Sequence, residues 1–283
     1  MHLRLVRNLS VALLCLTAFS PARTQSIEAF PQIKLAGIAH VALRVHDLAA
    51  SRAFYQSLGF EEAFDLRRDN IPYESFIKIN DRQFIELYPV TGKDPQPAFL
   101  HLCLESDDIQ TIHDDYALHG LNPTAVRKAG AGNLLFTMQG PMQPIGPAAT
   151  DIPQNIEYTE YQPGSLHSND FGKHLGADRV ADRMLGVWLA MRDQPGAIEF
   201  YTNQLTFKPL PGLPATLHLP GGSGEQVVIA PPTLGTYARI MLDTMNLARA
   251  RRHLTREHIN IGKINTGLVV IDPDGNQIII LER

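Results

Sequence analysis

The chain has 283 residues, room for two ordinary domains. With 44% hydrophobic and 19% charged residues it is no disordered chain, and a formal net charge of −4 lacks the basic footprint that nucleic-acid binding requires. No apolar run is long enough to span a bilayer. The chain opens with Arg4 and Arg7, a short apolar run from Leu9 to Phe19, and the small-residue site Ser20-Pro21-Ala22. That pattern predicts a signal peptide over residues 1–24 and a periplasmic or secreted protein, free of the membrane after cleavage. Its removal leaves Cys103 as the sole cysteine, so no internal disulfide is expected and the cores alone must hold the fold.

The stretch Gly37–Phe60 reads as strand, cap and helix. Ile38, Val41, Leu43 and Val45 supply the strand, Asp47 the cap, and Leu48, Ser51, Phe54/Tyr55 and Leu58 the helical face, with Gly59 as the stop. Strands follow at Glu62–Leu66, Tyr73–Ile79 and Phe84–Tyr88. The same β-α-β-β-β order recurs from Phe99–Leu104. Its helix is capped at Asp107 or Asp108 and carries Ile109, Ile112 and Tyr116. Its strands lie near Pro123–Arg127, Leu134–Met138 and Ile156–Tyr161. A third round opens at Gly186–Met191, has a helix with Pro195 in its first turn, and continues with Ala215–Leu219 and Gln226–Ala230. A fourth opens at Tyr237–Leu242, has a helix with Leu247, Ala250 and Leu254, and closes with Gly267–Ile271 and Gln277–Leu281.

Four copies of one small unit are thus readable, most clearly where Phe54–Phe60 (FYQSLGF) matches Phe200–Phe207 (FYTNQLTF). A unit this small buries little surface alone, so pairs should pack together. Pro163–Asp182 reads as a linker with some helix.

These motifs resemble the vicinal oxygen chelate (VOC) superfamily, the group of glyoxalases, extradiol dioxygenases and bleomycin-resistance proteins. They are HVALRVHDLAASRAFYQSLGF, FIELYP, FLHLCL and the closing DPDGNQIIILER. The resemblance implies an α+β fold of four βαβββ modules, paired into two glyoxalase-like domains with curved, mostly antiparallel sheets. The expected layout is a metal-binding domain at 34–165, a linker at 166–183 and a second domain at 184–283. Carried over residue by residue, it implies His40, Glu86, His101 and Glu157 as ligands of one divalent metal ion, with Glu86 and Glu157 also moving protons. Glu160 is the alternative to Glu157, because the usual Asp-Pro-x-Gly turn before this strand reads Asp151-Ile152-Pro153-Gln154-Asn155 here. The equivalent positions of the second pair fall on Gly186, Val228 or Ile229, Arg239 and Ile279, so that domain should be a degenerate copy without ligands.

The chemistry of the donor set stands on its own. Two imidazoles and two carboxylates suit zinc, nickel, cobalt, iron or manganese, and leave positions for two adjacent oxygens of a small-molecule substrate. A strand histidine is by default a core residue; the matched pair His40 and His101, each with an acid, argues otherwise. Cys103 shares the face of His101, and Arg44 that of His40; with Tyr161 they are candidate substrate contacts. A small buried thiol and a rim arginine are the plain alternatives. His46, His113, His119, His167, His174, His218, His253 and His258 show no pairing and read as surface or linker residues. Arg249, Arg251 and Arg252 read as a solvated helix face.

The expected function is therefore an exported, metal-dependent lyase or isomerase of the glyoxalase type, acting on a small hydroxy-carbonyl compound as a monomer or homodimer. A ring-cleaving dioxygenase is the second reading, favoured if Glu86 leaves the metal shell. A non-catalytic protein that sequesters a ligand in the same groove is the third.

Overall fold

The structure is a computed structural model, and it describes residues 33–144, 151–221, 224–232, 238–264 and 266–283. The expected signal peptide lies outside the described residues. No helix among those described is long and apolar enough to cross a membrane.

The first module comprises β1 (Gly37–Val45), α1 (Leu48–Ser57), β2 (Glu61–Arg68), β3 (Ile71–Lys78) and β4 (Phe84–Pro89). The second comprises β5 (Ala98–Glu105), α2 (Ile109–Leu118), β6 (Arg127–Lys128), β7 (Leu134–Pro144) and β8 (Asp151–Glu160). A short linker helix, α3 (Leu166–Asn169), precedes the third module: β9 (Arg183–Ala190), α4 (Gln194–Glu199), β10 (Lys208–Leu210), β11 (Leu213–His218) and β12 (Gln226–Ala230). The fourth has β13 (Arg239–Thr244), α5 (Leu247–Arg256), β14 (Gly262–Ile264), β15 (Gly267–Ile271) and β16 (Gln277–Glu282).

The strands form two eight-stranded sheets of one topology, β2-β3-β4-β1-β5-β8-β7-β6 and β10-β11-β12-β9-β13-β16-β15-β14. This is the expected α+β architecture of four paired modules. In each sheet the opening strands of two modules meet antiparallel at the centre, and each is flanked by the last strand of its own module, parallel to it. The pairing places four strands side by side in the middle of each sheet, two from each module.

Local chemistry accounts for the helices. The Asp47 carboxylate accepts hydrogen bonds from the backbone N–H groups of Ala49 and Ala50, and Asp108 caps α2 by accepting from Thr111. Gly59, at φ +83°, takes the left-handed turn after α1. The third module carries one more residue than the first between its Phe-Tyr pair and the closing Phe. The structure absorbs that residue as a π-helical turn over Phe200–Gln204, and Thr206 takes the left-handed position at φ +60°.

One face of the strands builds the main core. Val41, Leu43 and Val45 of β1, Ile85 and Leu87 of β4, Leu102 and Leu104 of β5, and Ile156 and Tyr158 of β8 belong to it. Alternation then sends His40, Glu86, His101 and Glu157 to the opposite face. A small second core of Phe76, Phe84 and Ala131, with Phe64, Leu66 and Tyr161 against it, forms apart from the main one.

Two local expectations are corrected. The strand expected over Pro123–Arg127 shrinks to Arg127–Lys128. His253 is buried and bonds the Ser57 carbonyl at 2.9 Å, tying α5 to the end of α1. Arg249, Arg251 and Arg252 are exposed, the solvated face expected, and Arg249 also reaches the Ala177 carbonyl in the linker.

Candidate metal centre

His40 on β1, Glu86 on β4, His101 on β5 and Glu157 on β8 come together at the middle of the first sheet. Register explains it. Ala42 is paired with both Glu86 and His101, and Cys103 with both His40 and Glu157. The two modules therefore offer the same triplet twice, His40/Ala42/Glu86 and His101/Cys103/Glu157.

His40 Nε2 lies 3.0 Å from His101 Nε2 and 3.4 Å from Glu157 Oε1. His40 Nδ1 lies 3.1 Å from Glu86 Oε1, and His101 Nε2 lies 3.8 Å from Glu86 Oε2. All four residues are at least nine-tenths buried, at 2%, 4%, 8% and 9% exposure for His40, Glu86, His101 and Glu157. Donor atoms of His40, Glu86 and His101 fall within 4.8 Å of one another, as do those of His40, Cys103 and Glu157.

The residues fit a divalent cation on four counts. Burial lowers the His40 pKa to about 3 and that of His101 to about 4, so both imidazoles are neutral and have a lone pair to give. Burial, then the charges of Glu74 and Glu157, pushes the Glu86 carboxyl well above the usual range, which is the mark of acids crowded without a counter-charge. His40 Nδ1 makes no hydrogen bond in the protein, although it is buried. Ligand atoms about 2.1 Å from one ion and at right angles lie about 3 Å apart, close to the shorter separations here.

A cavity of about 220 Å³ opens on His40, Glu86 and Glu157. Tyr88 and Glu74 stand beside them: the Tyr88 hydroxyl is 2.6 Å from Glu74 Oε1 and 3.0 Å from Glu86 Oε2. One hydroxyl has one hydrogen, so these two contacts together call for a second proton on one of the carboxyls. Desolvation raises the Glu74 pKa to about 7.

The remaining candidates separate. Cys103 lies within the donor cluster, fully buried, and burial followed by the Glu157 and Glu86 charges holds its thiol protonated. Arg44 is elsewhere: its guanidinium donates to the Gln96 carbonyl at 2.7 Å and lies 3.2 Å from Asp94. Tyr161 is also away from the donors, stacked on His167 and donating to the Arg82 carbonyl. Glu160 points to the other face and accepts from the backbone N–H of Ile109 at the start of α2. His167, read as a linker residue, is buried at the cavity wall. Nothing in its local sequence signals this, because α3 is brought to the cavity by strands distant in sequence.

Residues 37–145 match the family model described as the Glyoxalase/Bleomycin resistance protein/Dioxygenase superfamily. Over those residues, which take in most of the first pair of modules, the chain matches the vicinal oxygen chelate superfamily. No curated protein sequence matches it. Solved structures of similar fold include the Mn(II)-bound glyoxalase of Novosphingobium aromaticivorans, 17% identical, with TM-score 0.63 over 88% of this chain and 82% of that one. A variant of homoprotocatechuate 2,3-dioxygenase from Brevibacterium fuscum is 16% identical, with TM-score 0.62 over 90% and 75%. The 2,3-dioxygenase LapB from Pseudomonas sp. KL28 is 14% identical, with TM-score 0.57 over 89% and 94%. These likenesses are of fold.

The second sheet repeats the register without the donors. Trp188 is paired with Arg239 and Val228, and Met241 with Gly186 and Ile279. The four equivalent places are therefore Gly186, Val228, Arg239 and Ile279, which settles Val228 over Ile229. A side chain at Gly186 is barred, since a Cβ there would meet the Gln226 carbonyl oxygen at 2.2 Å. The Trp188 indole stands under the Arg239 guanidinium, 4.9 Å away, with its N–H directed to Met241 Sδ.

Proposed function

We propose that this chain is a divalent-metal-dependent enzyme of the glyoxalase type, a lyase or isomerase acting on a small hydroxy-carbonyl compound. The observation that carries the reading is the gathering of two neutral imidazoles and two carboxylates from four adjacent strands in one buried cluster around His40. Donor atoms of His40, Glu86 and His101 fall within 4.8 Å of one another, which keeps Glu86 among the ligands and supports the glyoxalase-type reading. Such an ion supplies Lewis acidity to two adjacent oxygens of the substrate.

The chain's own residues do the rest. His40 and His101 hold their lone pairs in place because burial keeps them unprotonated. Glu157 and Glu86, which both line the cavity, take and return the proton alpha to the carbonyl. Tyr88 and Glu74 connect Glu86 to the cavity and offer a place for that proton. Cys103, protonated and fully buried, fills the space beside Glu157. The proposal includes export by the N-terminal segment; sequencing the N-terminus of the mature protein tests it.

The test of the reaction class is proton exchange. Metal-loaded protein in D2O is given a panel of 2-hydroxyaldehydes and 2-hydroxyketones and followed by NMR. Deuterium entry at the carbon alpha to the carbonyl, or conversion to the isomer, is expected, and Glu157→Gln should abolish it. No exchange with any member, together with oxygen uptake on catechol and ferrous iron, would move the reading to a ring-cleaving dioxygenase.

A further inference from the structure

His167 sits on α3, in the segment that joins the two sheets, and lines the same cavity as His40, Glu86 and Glu157. It is 3% exposed. Phe64, Phe76 and Phe84 meet its ring edge-on, with centroids 5.0, 5.3 and 5.0 Å away, and Tyr161 stacks on it at 4.5 Å. Neither Nδ1 nor Nε2 has a hydrogen-bond partner in the protein.

That arrangement is expensive as mere packing. An unpaired buried polar group costs about 1–3 kcal/mol. An N–H over an aromatic ring is a weak partner and serves one nitrogen; the other nitrogen carries a lone pair that a ring face does not satisfy. Phenylalanine would fill this aromatic box without either cost. Burial keeps the ring neutral, with its pKa near 3, so it presents one donor and one acceptor.

The helix that carries His167 is also held firmly. Lys78, fully buried on β3, donates to the Asp170 carboxylate and to the Asp170 carbonyl, each at 2.7 Å, and pairs with Asp81 at 2.8 Å. The Leu166 N–H donates to the Ala131 carbonyl at 2.8 Å. Gly132 lets the hairpin approach closely, since a Cβ there would lie 3.2 Å from Ser165 Cα. A buried lysine spent on anchoring a four-residue helix makes sense if that helix must place a side chain accurately.

We propose that His167 is a substrate-binding residue, delivered by the linker to the metal-site cavity, where it hydrogen-bonds an oxygen of the bound substrate. This rests on the enzyme reading above and deepens it, by adding to the four strand donors a contact from outside the sheet. The apolar residues that share the cavity wall with it, Leu66, Phe76 and Leu135, suit a substrate with an aromatic or aliphatic substituent next to that oxygen.

Benzohydroxamate, whose two adjacent oxygens imitate an enediolate, serves as the probe. It is titrated by calorimetry into the full chain with and without Mn(II), for wild type, His167→Phe and His167→Gln. His167→Phe is expected to melt higher than wild type, to take up Mn(II) with the same stoichiometry, and to bind the probe at least about tenfold more weakly. His167→Gln, which keeps a donor and an acceptor, should fall between. Equal probe affinity in wild type and His167→Phe overturns the proposal and leaves the residue as packing. Failure of the metal reading is visible separately, as wild type that takes up no Mn(II). The comparison then rests on metal-free protein, where equal or absent binding overturns the proposal as well. Should His167→Phe not fold, His167→Leu takes its place under the same criteria.

Discussion

The two sheets of this chain are one architecture written twice, with opposite contents at the same four places. The first holds His40, Glu86, His101 and Glu157, buried and facing one another. The second holds Gly186, Val228, Arg239 and Ile279, beside a tryptophan in the place of Ala42. The second sheet proves that strand order, register and core need none of the polar four. Buried carboxylates facing each other weaken a fold unless a cation joins them, so their presence in one sheet and absence from the other marks function.

The sharpest way to break that comparison is chemical. Glu157→Gln keeps the shape and removes the proton acceptor; turnover should fall about 10²–10⁴-fold, read by deuterium exchange into the substrate. Next is to write the second sheet's residues into the first. Glu86→Val combined with Glu157→Ile should stabilise the metal-free protein by about 1–4 kcal/mol in urea unfolding and end metal uptake. The converse operates on the second sheet. Trp188→Ala should cost about 2 kcal/mol, less than for a fully buried tryptophan, and leave metal uptake unchanged.

A fourth comparison concerns pH. Glu74 binds its proton more tightly folded than unfolded, its pKa rising from 4.5 to about 7. The stability it contributes is complete below about pH 4.5 and is lost as pH rises to about 7. In metal-free protein, wild type should therefore lose stability relative to Glu74→Gln across that window, measured by paired urea melts. The smallest effect separates α1 from its copy. Gly59 takes the left-handed turn freely, whereas Thr206 takes it with a β-branched side chain. Thr206→Gly should stabilise by about 1 kcal/mol, and Gly59→Thr should do the reverse by more, because a Cβ at Gly59 would meet the Asp178 and Arg179 backbone at 2.6 Å.

Much of this was legible in the chain because repetition multiplies weak signals. A histidine in a strand says little, but His40 and His101 at one place in two copies, each with an acid on the last strand of its module, identify a cluster before any coordinate is known. The inserted residue before Phe207 was equally visible, although its outcome as a π-helical turn follows only from keeping both aromatic anchors seated. What escaped the sequence is contact between segments with no shared pattern. His167 joins the cavity because Lys78 and Ala131 hold its helix there. Glu74 matters because the Tyr88 hydroxyl lies between two carboxyls. Arg44 shares the face of His40, as alternation requires, yet the loop that carries Asp94 and Gln96 takes its guanidinium away from the donors.

The central claim is that the first sheet holds a metal and the second does not. Metal content of the purified full chain, measured by inductively coupled plasma mass spectrometry, tests it directly. Two variants are measured beside wild type: His101→Ala, and the double exchange of Glu86→Val with Glu157→Ile. The expected result is one equivalent of a first-row divalent metal in wild type and none in either variant. Wild type without metal after equilibration with zinc, nickel, cobalt, iron or manganese, or full occupancy in His101→Ala, would contradict it.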